Sequence, residues 1–291
     1  MIENKVDQQS NLAPGLYLIA TPIGNLRDIT IRAIDLLRAS DFLVAEDTRS
    51  LRRLMDLHGI ALEGRPLLAY HDHSGAKTRE RLMAEIGSGK SVTYASEAGT
   101  PMISDPGFDL VRAARSAGHA VSSAPGASAV ITALTLAGLP TDRFMFAGFL
   151  PSAQGARKTA LRDLTHVPAT LVFYESPRRL AAMLTDAVEM LGTRQATICR
   201  ELTKKFEEIR QGTLHELAKY YAQNPAKGEI VVLIDKGDSA SVKDIDIEHE
   251  VNKALESMSV RDAADYVATR FSVKRRPVYQ MAMRLSRKEG D

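Results

Sequence analysis

Residues 91–107 read SVTYASEAGTPMISDPG, a strand-like run followed at once by turn-forming residues. Residues 91–95 are rich in β-branched and aromatic side chains, which favours a strand. Residues 96–107 then hold two glycines, two prolines, two serines and two acids before a helical pattern begins near Phe108. Connections between strands and helices ordinarily need only a few residues. So much turn chemistry at a strand end indicates a loop that binds a ligand.

Strand and helix patterns alternate through the first half of the chain around this stretch. Apolar β-rich runs predict strands, and runs with apolar residues at helical spacing predict helices. The predicted strands are 16–20, 42–45, 67–70, 92–95 and 119–122, and the predicted helices are 30–39, 48–58, 78–86, 108–117 and 127–136. Alternation at this spacing predicts βαβ units and a mainly parallel sheet.

The segment GLPTD, residues 138–142, breaks this pattern and marks a predicted domain boundary. Beyond it, β-rich runs resume and predict a second sheet, to which residues 206–211 add an antiparallel member. The other predicted strands of this half are 144–149, 170–174, 196–199 and 229–234. Residues 236–248, KGDSASVKDIDIE, then predict a polar linker.

The last forty-odd residues predict two helices, 259–268 and one from 272 onward, joined by a tight turn as in a helix-turn-helix. The whole chain is therefore predicted to have four regions. They are a disordered tail (1–14), an N-terminal α/β domain (15–138), a second α/β domain (139–237), and a linker with a basic helical domain (238–291).

Composition predicts a soluble globular protein of two ordinary domains. The 291 residues are 44% hydrophobic and 25% charged. A single cysteine, Cys199, excludes an internal disulfide framework and suits a reducing compartment. The first dozen residues lack the apolar core of a signal peptide, and the apolar stretch 127–139 is too short to span a bilayer. We therefore expect a cytoplasmic protein without membrane contact.

Positive charge is concentrated near the C-terminus although the net charge is only +2. Residues 271–288 contain no acid and six basic residues, which are Lys274, Arg275, Arg276, Arg284, Arg287 and Lys288. A concentrated basic segment is typical of a surface that binds a phosphate backbone, and also of a solubilising helix face. Charge alone leaves both interpretations open.

Two nucleotide-binding motifs are excluded. The sequence GSGKS at 87–91 resembles a phosphate-binding loop, but it leaves a helix and enters a strand, the reverse of that motif. Gly87 is better explained as the C-cap of a helix. The first strand is followed by TPIGNL rather than by a G-x-G-x-x-G fingerprint. We therefore expect a ligand that lacks a pyrophosphate.

Seven strand ends carry glycine, proline or charged residues. They are TPIGNL (21–26), AEDTR (45–49), HDH (71–73), SEAGTPMISDPG (96–107), APGASA (124–129), FYESPRR (173–179) and RELTK (200–204). Each alone is explained by turn formation, helix capping or surface ion pairs. Ligands of open α/β sheets bind at the carboxyl ends of the strands, so their shared location indicates a binding site.

These motifs, in this order and at these spacings, resemble the tetrapyrrole-methylase superfamily over roughly residues 16–235. GLPTDRF and GFLP also match. The resemblance is closest to the branch of bacterial small-subunit ribosomal RNA methyltransferases that modify the 2′-oxygen of a cytidine in the decoding region. The basic tail is similar to the C-terminal extension of that branch. The resemblance implies an α/β fold of two α/β domains with a cleft for S-adenosylmethionine between them, a small helical C-terminal extension, and a homodimer.

The resemblance also implies which residues bind the cofactor. A loop built from Gly99, Thr100 and Pro101 brings bare backbone groups against such a ligand. Two positions depart from the usual motifs: Glu97 replaces aspartate and Ala127 replaces proline. The implied cofactor-binding residues are Pro22, Ala98, Gly99, Thr100, Ile103, Ser128, Ala129, Glu175 and Ile198.

Methyl transfer to a ribose hydroxyl calls for a general base or a cation beside the forming alkoxide. The candidates for base or substrate-side roles are Asp47, Arg49, His71, Glu97, Glu201 and Lys204. Proton loss directly to water stays open. His71 and His73 share a strand face, but no third ligand is evident nearby, so we predict no metal.

RNA is the expected partner, as small-subunit ribosomal RNA or the assembled 30S subunit, and DNA is not expected. A ring of positive charge is predicted from Arg157, Lys158, Arg178, Arg179, Lys204 and Lys205. Two other functions stay open. One is methylation of a tetrapyrrole precursor, and the other is a non-catalytic RNA-binding role in ribosome assembly.

Overall fold

The computed structural model describes residues 12–71, 76–236, 239–271 and 273–288, without the side chains of 239–246 and 287–288. These residues form two compact units. The first contains the chain up to Gly138 together with Ile198–Arg210 and Lys227–Val231. The second contains Leu139–Thr197, Gln211–Ala226 and the chain from Val232 onward.

The first sheet has five strands in the order β3-β2-β4-β1-β5, and all of its pairings are parallel, as predicted. The strands are β1 (Gly15–Ile19), β2 (Phe42–Ala45), β3 (Leu67–Ala69), β4 (Ser91–Ala95) and β5 (Val121–Ala124). Its helices are α1 (Ile31–Ala39), α2 (Thr48–Leu57), α3 (Ala76–Gly87), α4 (Phe108–Ser116) and α5 (Ala129–Leu136). A short 3-10 helix, Leu26–Asp28, follows β1.

Apolar side chains cover both faces of this sheet. Strand β4 is buried along its whole length, with Val92 and Tyr94 in one hydrophobic core and Ala95 in the other. Burial on both faces is what a parallel sheet with helices on each side requires. Because the pairings are parallel, the loops that follow these strands emerge at one edge of the sheet.

The predicted fifth strand, 119–122, is wrong by two residues. Gly118 adopts φ +76°, and the amide of His119 donates to the carbonyl of Ala114 at 2.9 Å. This left-handed turn ends α4 and occupies the positions predicted to begin the strand. The strand therefore starts at Val121.

The second sheet also has five strands, in the order β6-β7-β10-β8-β9. They are β6 (Phe144–Phe149), β7 (Thr170–Glu175), β8 (Gln195–Arg200), β9 (Glu208–Thr213) and β10 (Ile230–Ile234). Strands β6 and β7 are parallel. Helices α6 (Gln154–Asp163), α7 (Leu180–Leu191) and α8 (Leu214–Gln223) lie between the strands along the chain. The α/β class predicted for this half is confirmed.

Three helices form the C-terminal region: α9 (Ser239–Leu255), α10 (Val260–Arg270) and α11 (Arg275–Lys288). The prediction of a linker over 236–248 is wrong because α9 begins at Ser239. The apolar residues Ile247, Val251 and Ala254 recur at helical spacing and join a core made entirely of residues from α9, α10 and α11. Residue 272, the predicted start of the last helix, lies outside the described residues.

No helix within the described ranges is long and apolar enough to cross a bilayer.

Candidate functional site

The loops after β1 and β4 are joined by a pair of backbone hydrogen bonds. The amide of Thr21 donates to the carbonyl of Gly99 at 2.9 Å, and the amide of Gly99 donates back at 3.0 Å. Both are reinforced by buried hydroxyls, because Thr21 Oγ1 donates to the carbonyl of Ser96 and Ser96 Oγ donates to that of Gly99. The TPIGNL loop and the long SEAGTPMISDPG loop are therefore one rigid assembly.

The long loop holds an unusual number of left-handed residues. Gly99 has φ +79°, and a Cβ there would lie 3.3 Å from Ile23 Cγ2. Met102 and Ser104 have φ +70° and +63° without being glycine. Backbone strain of this kind persists where surrounding contacts hold it, and it is concentrated at functional sites. Here the sheet, through Thr21, supplies one such contact.

The same loop is tied to the APGASA loop. Thr100 Oγ1 donates to the carbonyl of Ala127 at 3.0 Å. Because a backbone carbonyl accepts this bond, the departure from proline to alanine at position 127 leaves it in place. Ser128 is the N-cap residue of α5, yet its side chain makes no capping hydrogen bond. The structure thus brings one group of predicted cofactor residues together, namely Ala98, Gly99, Thr100, Ile103, Ser128 and Ala129.

A cavity of about 320 Å³ lies beside the Thr21–Gly99 bridge within the first unit. Its size falls at the lower end of the range for small-molecule sites. Two predicted site residues, Pro22 and Glu97, line it, and hydroxyl groups, leucines and one guanidinium complete the wall. The lining residues are Thr21, Pro22, Gly24, Leu26, Ser50, Leu51, Arg53, Leu54, Ser96 and Glu97.

Asp47 and Arg49 lie at the start of α2, next in the chain to the lining residue Ser50. Asp47 is the N-cap residue, and its Oδ1 accepts from the amide of Arg49 at 2.7 Å. This hydrogen bond, aided by the Arg49 side chain, lowers the pKa of Asp47 below its usual value. The Arg49 side chain is 91% exposed. Asp47 is thus an ionised helix cap, and a lowered pKa makes it a weak base.

Asp105, which sequence reasoning missed, has the opposite electrostatic environment. Burial, with smaller contributions from the nearby charges of Glu46 and Glu97, raises the pKa of its carboxyl to about 7. Glu46 directly follows β2, and Glu97 follows β4 by two residues. Three acids are therefore grouped at the carboxyl end of the first sheet. The sequence signal for this acid is the SDPG end of the long loop.

The chain matches the family model described as Tetrapyrrole (Corrin/Porphyrin) Methylases over residues 15–218. The chain belongs to the tetrapyrrole methylase family. Members of this family are methyltransferases that use S-adenosylmethionine, so the predicted family, enzyme class and cofactor are confirmed. A second model, the RsmI C-terminal HTH domain, matches residues 242–286.

Curated relatives place the chain in one branch of the family. It is 45% identical over 282 residues to the ribosomal RNA small subunit methyltransferase I of Mesorhizobium japonicum, covering 96% of this chain and 95% of the relative. The protein of the same name from Escherichia coli O157:H7 is 41% identical over 273 residues, covering 92% and 94%. The chain therefore belongs to the small-subunit ribosomal RNA methyltransferase I branch.

Solved structures with low sequence identity share the fold. A cobalt precorrin-4 methyltransferase aligns with a TM-score of 0.56 at 16% identity, over 76% of this chain and 94% of that one. A uroporphyrin-III C-methyltransferase from Thermus thermophilus, solved with S-adenosylhomocysteine, aligns with a TM-score of 0.53 at 18% identity, over 76% and 97%. These likenesses support the tetrapyrrole-methylase fold and nothing finer.

The RELTK motif of this branch packs against the TPIGNL loop within the first unit. Glu201 Oε1 accepts from the amide of Glu229 and from Lys204 Nζ, both at 2.9 Å. The backbone hydrogen bond from Glu229 lowers the pKa of Glu201. Thr203 Oγ1 accepts from the amide of Asn25 at 3.0 Å. Glu201 and Lys204 thus have internal partners, and their predicted catalytic roles stay predictions.

The two predicted cofactor residues of the second half are both buried. Glu175 Oε1 accepts from the amide of Ser176 at 2.7 Å and pairs with Arg179 at 3.1 Å. Its other oxygen, Oε2, is buried without a hydrogen-bond partner among the described residues. Ile198 is fully buried in β8. An unsatisfied buried carboxylate oxygen is costly unless a ligand or water donates to it.

The structure describes only one histidine of the predicted pair. His71 is exposed, and it has a polar or ring contact within the protein. His73 lies outside the described residues. Within the described ranges, no group of three or more histidine, cysteine, aspartate or glutamate side chains is arranged to hold a metal ion.

The predicted ring of positive charge is wrong at Arg157 and Lys158, because both side chains pair with acids of α7. Arg157 is 5% exposed, and its Nε donates to Asp186 at 2.7 Å. Lys158 pairs with Glu189 at 2.5 Å. Because α6 and α7 pack together, their polar faces pair with each other, and a sequence count of charges does not reveal this. Arg157 is a structural residue.

Proposed function

We propose that this protein transfers a methyl group from S-adenosylmethionine to the 2′-oxygen of a cytidine in the decoding region of small-subunit ribosomal RNA. One observation carries the proposal. The two motif-bearing loops are hydrogen-bonded to each other beside a 320 Å³ cavity, in a chain of the small-subunit ribosomal RNA methyltransferase I branch. Such an arrangement provides a donor loop and an acceptor pocket side by side.

The long loop supports the donor side of the proposal. Gly99 and Thr100 present backbone atoms with little side-chain bulk, and Thr100 fixes the neighbouring loop through Ala127. The free hydroxyl of Ser128 at the start of α5 adds a polar contact. The unpartnered oxygen of Glu175 favours its predicted role, because a ligand hydroxyl or ammonium would satisfy it. Ile198 stays a predicted contact.

The cavity supports the acceptor side. S-adenosylmethionine supplies the methyl group when bound, and its positive charge on sulfur is lost as the methyl leaves. Glu97 lines the cavity, so we assign it to accept the proton of the ribose hydroxyl. Asp47 and Glu201 are weaker bases because their pKa values are lowered. The wall of the cavity would orient the sugar oxygen for attack, and orientation alone contributes several kcal/mol.

The partner proposal has two parts, small-subunit ribosomal RNA or the 30S subunit as substrate and a second copy of this chain in a homodimer. The relatives' name supports the first part, because it specifies the ribosomal small subunit. The helix-turn-helix match at residues 242–286 supports a further nucleic-acid contact.

Labelled methyl transfer tests the proposed function. Purified protein is incubated with labelled S-adenosylmethionine and with undermethylated small subunits, and the product is digested to nucleosides. We expect label in 2′-O-methylcytidine from one position of the decoding region. Label on a base rather than a ribose contradicts the chemistry. Cofactor binding by calorimetry without any transfer would favour the non-catalytic alternative.

A further inference from the structure

Helix α2 borders the cavity and carries a strong positive charge. Its sequence, TRSLRRLMDL, contains three arginines and one acid. Leu51 and Leu54 are buried, whereas Arg53 is exposed and lines the cavity. Residues four apart share a face of a helix, so Arg49 and Arg53 lie on the same side. Arg53 therefore stands at the edge of the cavity, and Arg49 lies one turn before it on the same face of the helix.

These arginines differ in the partners that they have. Arg53 makes no hydrogen bond or ion pair with any residue that the structure describes. Arg49 reaches only its own helix cap, Asp47, at 3.4 Å. By contrast, Arg52 pairs with Asp56 at 3.5 Å one turn along the helix and does not line the cavity. Among the described residues, Arg53 is thus the arginine of this helix that has no ion-pair or hydrogen-bond partner.

Two like charges on one helix face destabilise the helix unless an anion lies between or beside them. Glu97 also lines the cavity, but it forms no ion pair with Arg53 and would repel an anion placed inside. An anionic group therefore fits at the rim, next to Arg53, while an uncharged sugar and base fit within. A nucleotide inside an RNA strand has this distribution of charge, because its phosphates lie on either side of the nucleoside.

We propose that Arg53, with Arg49 beside it, binds the phosphates that flank the target nucleotide and so positions that nucleotide over the cavity. The inference rests on the proposed function and adds a substrate-binding surface to it. The planar guanidinium group forms two parallel hydrogen bonds to a phosphate, a geometry that lysine does not reproduce. Contacts of this kind fix the register of an RNA strand without reading its sequence.

Substitution of Arg53 in the full-length protein tests the inference. Arg53→Gln removes the free charge, and Arg52→Gln is a matched control on the same helix with the same change in charge. For each protein, RNA affinity is measured at several salt concentrations, and KM and kcat are measured with small subunits. Cofactor affinity by calorimetry reports that the site remains folded.

We expect Arg53→Gln to raise KM for the small subunit about tenfold, and to reduce the slope of log affinity against log salt by about 0.7, the value for one lost phosphate contact on a single strand. Cofactor affinity stays within twofold. Arg53→Lys keeps the wild-type salt slope because it keeps the charge. Its KM lies between those of wild type and Arg53→Gln, because lysine cannot form the two parallel hydrogen bonds. Arg52→Gln leaves both quantities unchanged.

An unchanged salt slope in Arg53→Gln overturns the inference, and so does an equal loss in Arg52→Gln. The proposed function fails separately. If the wild-type protein binds RNA with an Arg53-dependent slope but labels no ribose, the RNA surface stands and the assigned reaction is wrong. If the wild-type protein labels the ribose and Arg53→Gln behaves like it, the reaction stands and the surface is wrong.

Discussion

Helix α2 and the C-terminal helices are both rich in arginine, but they use this charge differently. On α2, Arg53 faces a cavity without a partner among the described residues. In the C-terminal region, Arg275 pairs with Asp265, Arg284 with Glu248 at 3.4 Å, and Arg270 with Glu250 at 3.6 Å. Pairing neutralises much of the charge that the sequence places in the tail. A count of basic residues thus overstates the phosphate contacts available there.

Within residues 273–286, two cations escape this pairing. Lys274 and Arg276 are exposed and have no ion-pair partner among the described residues. The comparison therefore predicts two RNA contact regions of different kinds. The α2 region positions one nucleotide at the cavity, and the tail adds affinity at a second place.

Removal of the C-terminal helices tests the tail as a whole. The helices α9–α11 have a core of their own, so a chain ending at Lys236 keeps the other hydrophobic cores intact. We expect RNA affinity to fall about 100-fold, with a shallower salt dependence, because several phosphate contacts are lost. Calorimetry should give an unchanged affinity for S-adenosylmethionine. An unaltered RNA affinity and salt slope would refute any role of the tail in binding.

The substitution Gly99→Ala tests the loop beside α2. An alanine at φ +79° costs about 1–2 kcal/mol, and its Cβ would lie 3.3 Å from Ile23. We expect the affinity for S-adenosylmethionine to fall about tenfold or more, measured by calorimetry, while RNA binding by the tail persists. Gly155→Ala is the control, because a Cβ there meets no atom within 4 Å. Equal effects of the two substitutions would contradict the role assigned to the loop.

Within the tail, the comparison separates paired from free cations. The double substitution Lys274→Gln with Arg276→Gln should weaken RNA binding about fivefold, since both charges are free to contact phosphates. Arg275→Gln should weaken it less than twofold, because Arg275 is already bound to Asp265. Filter binding at two salt concentrations measures both. A larger loss from Arg275→Gln than from the double variant would show that this ion pair opens on RNA.

Stability against pH tests the acids near the cavity. Burial, with Glu46 and Glu97, raises the pKa of Asp105 from 3.8 to about 7. Since the folded state holds this proton more tightly, the contribution of Asp105 to stability is greatest below pH 4 and falls as pH rises to 7. Asp105→Asn should remove this fall and gain about 1 kcal/mol at pH 8, after allowance for solvent screening. Urea unfolding between pH 4 and 8 measures the difference.

The exposed carboxyl of Asp28, in the 3-10 helix of the same unit, provides the control for that experiment. Asp28→Asn should unfold with the pH dependence of the wild-type protein. If Asp105→Asn also follows the wild-type curve at every pH, Asp105 does not hold its proton near neutrality.

Local patterns were sufficient to predict the first sheet. Its central strands β1, β2 and β4 are buried on both faces, so they appear as nearly continuous apolar runs bounded by turn residues, as at Ser91–Ala95. Helix α6 and the start of α9 were missed because their apolar positions are few and lie between polar residues. The first half of α9 reads KDIDIE, and its helical period becomes clear only from Ile247 onward.

The roles that sequence reasoning missed or assigned wrongly depend on contacts between distant parts of the chain. Arg157 became structural because Asp186 lies 29 residues away in sequence but 2.7 Å away in space. The pKa of Asp105 depends on Glu46, which follows another strand. Arg52 and Arg53 are neighbours on α2, but Arg53 lines the cavity whereas Arg52 pairs with Asp56. Motif matching found the loops but not the electrostatics around them.

We propose that the joined loops beside α2 deliver a methyl group to RNA and not to a tetrapyrrole precursor. The most direct test of this claim offers wild-type protein and labelled S-adenosylmethionine three acceptors under identical conditions: small subunits, naked small-subunit RNA and a uroporphyrin-type tetrapyrrole. We predict label in RNA ribose from at least one of the first two acceptors and none in the tetrapyrrole. Label in the tetrapyrrole, with both RNA samples unlabelled, would contradict the claim.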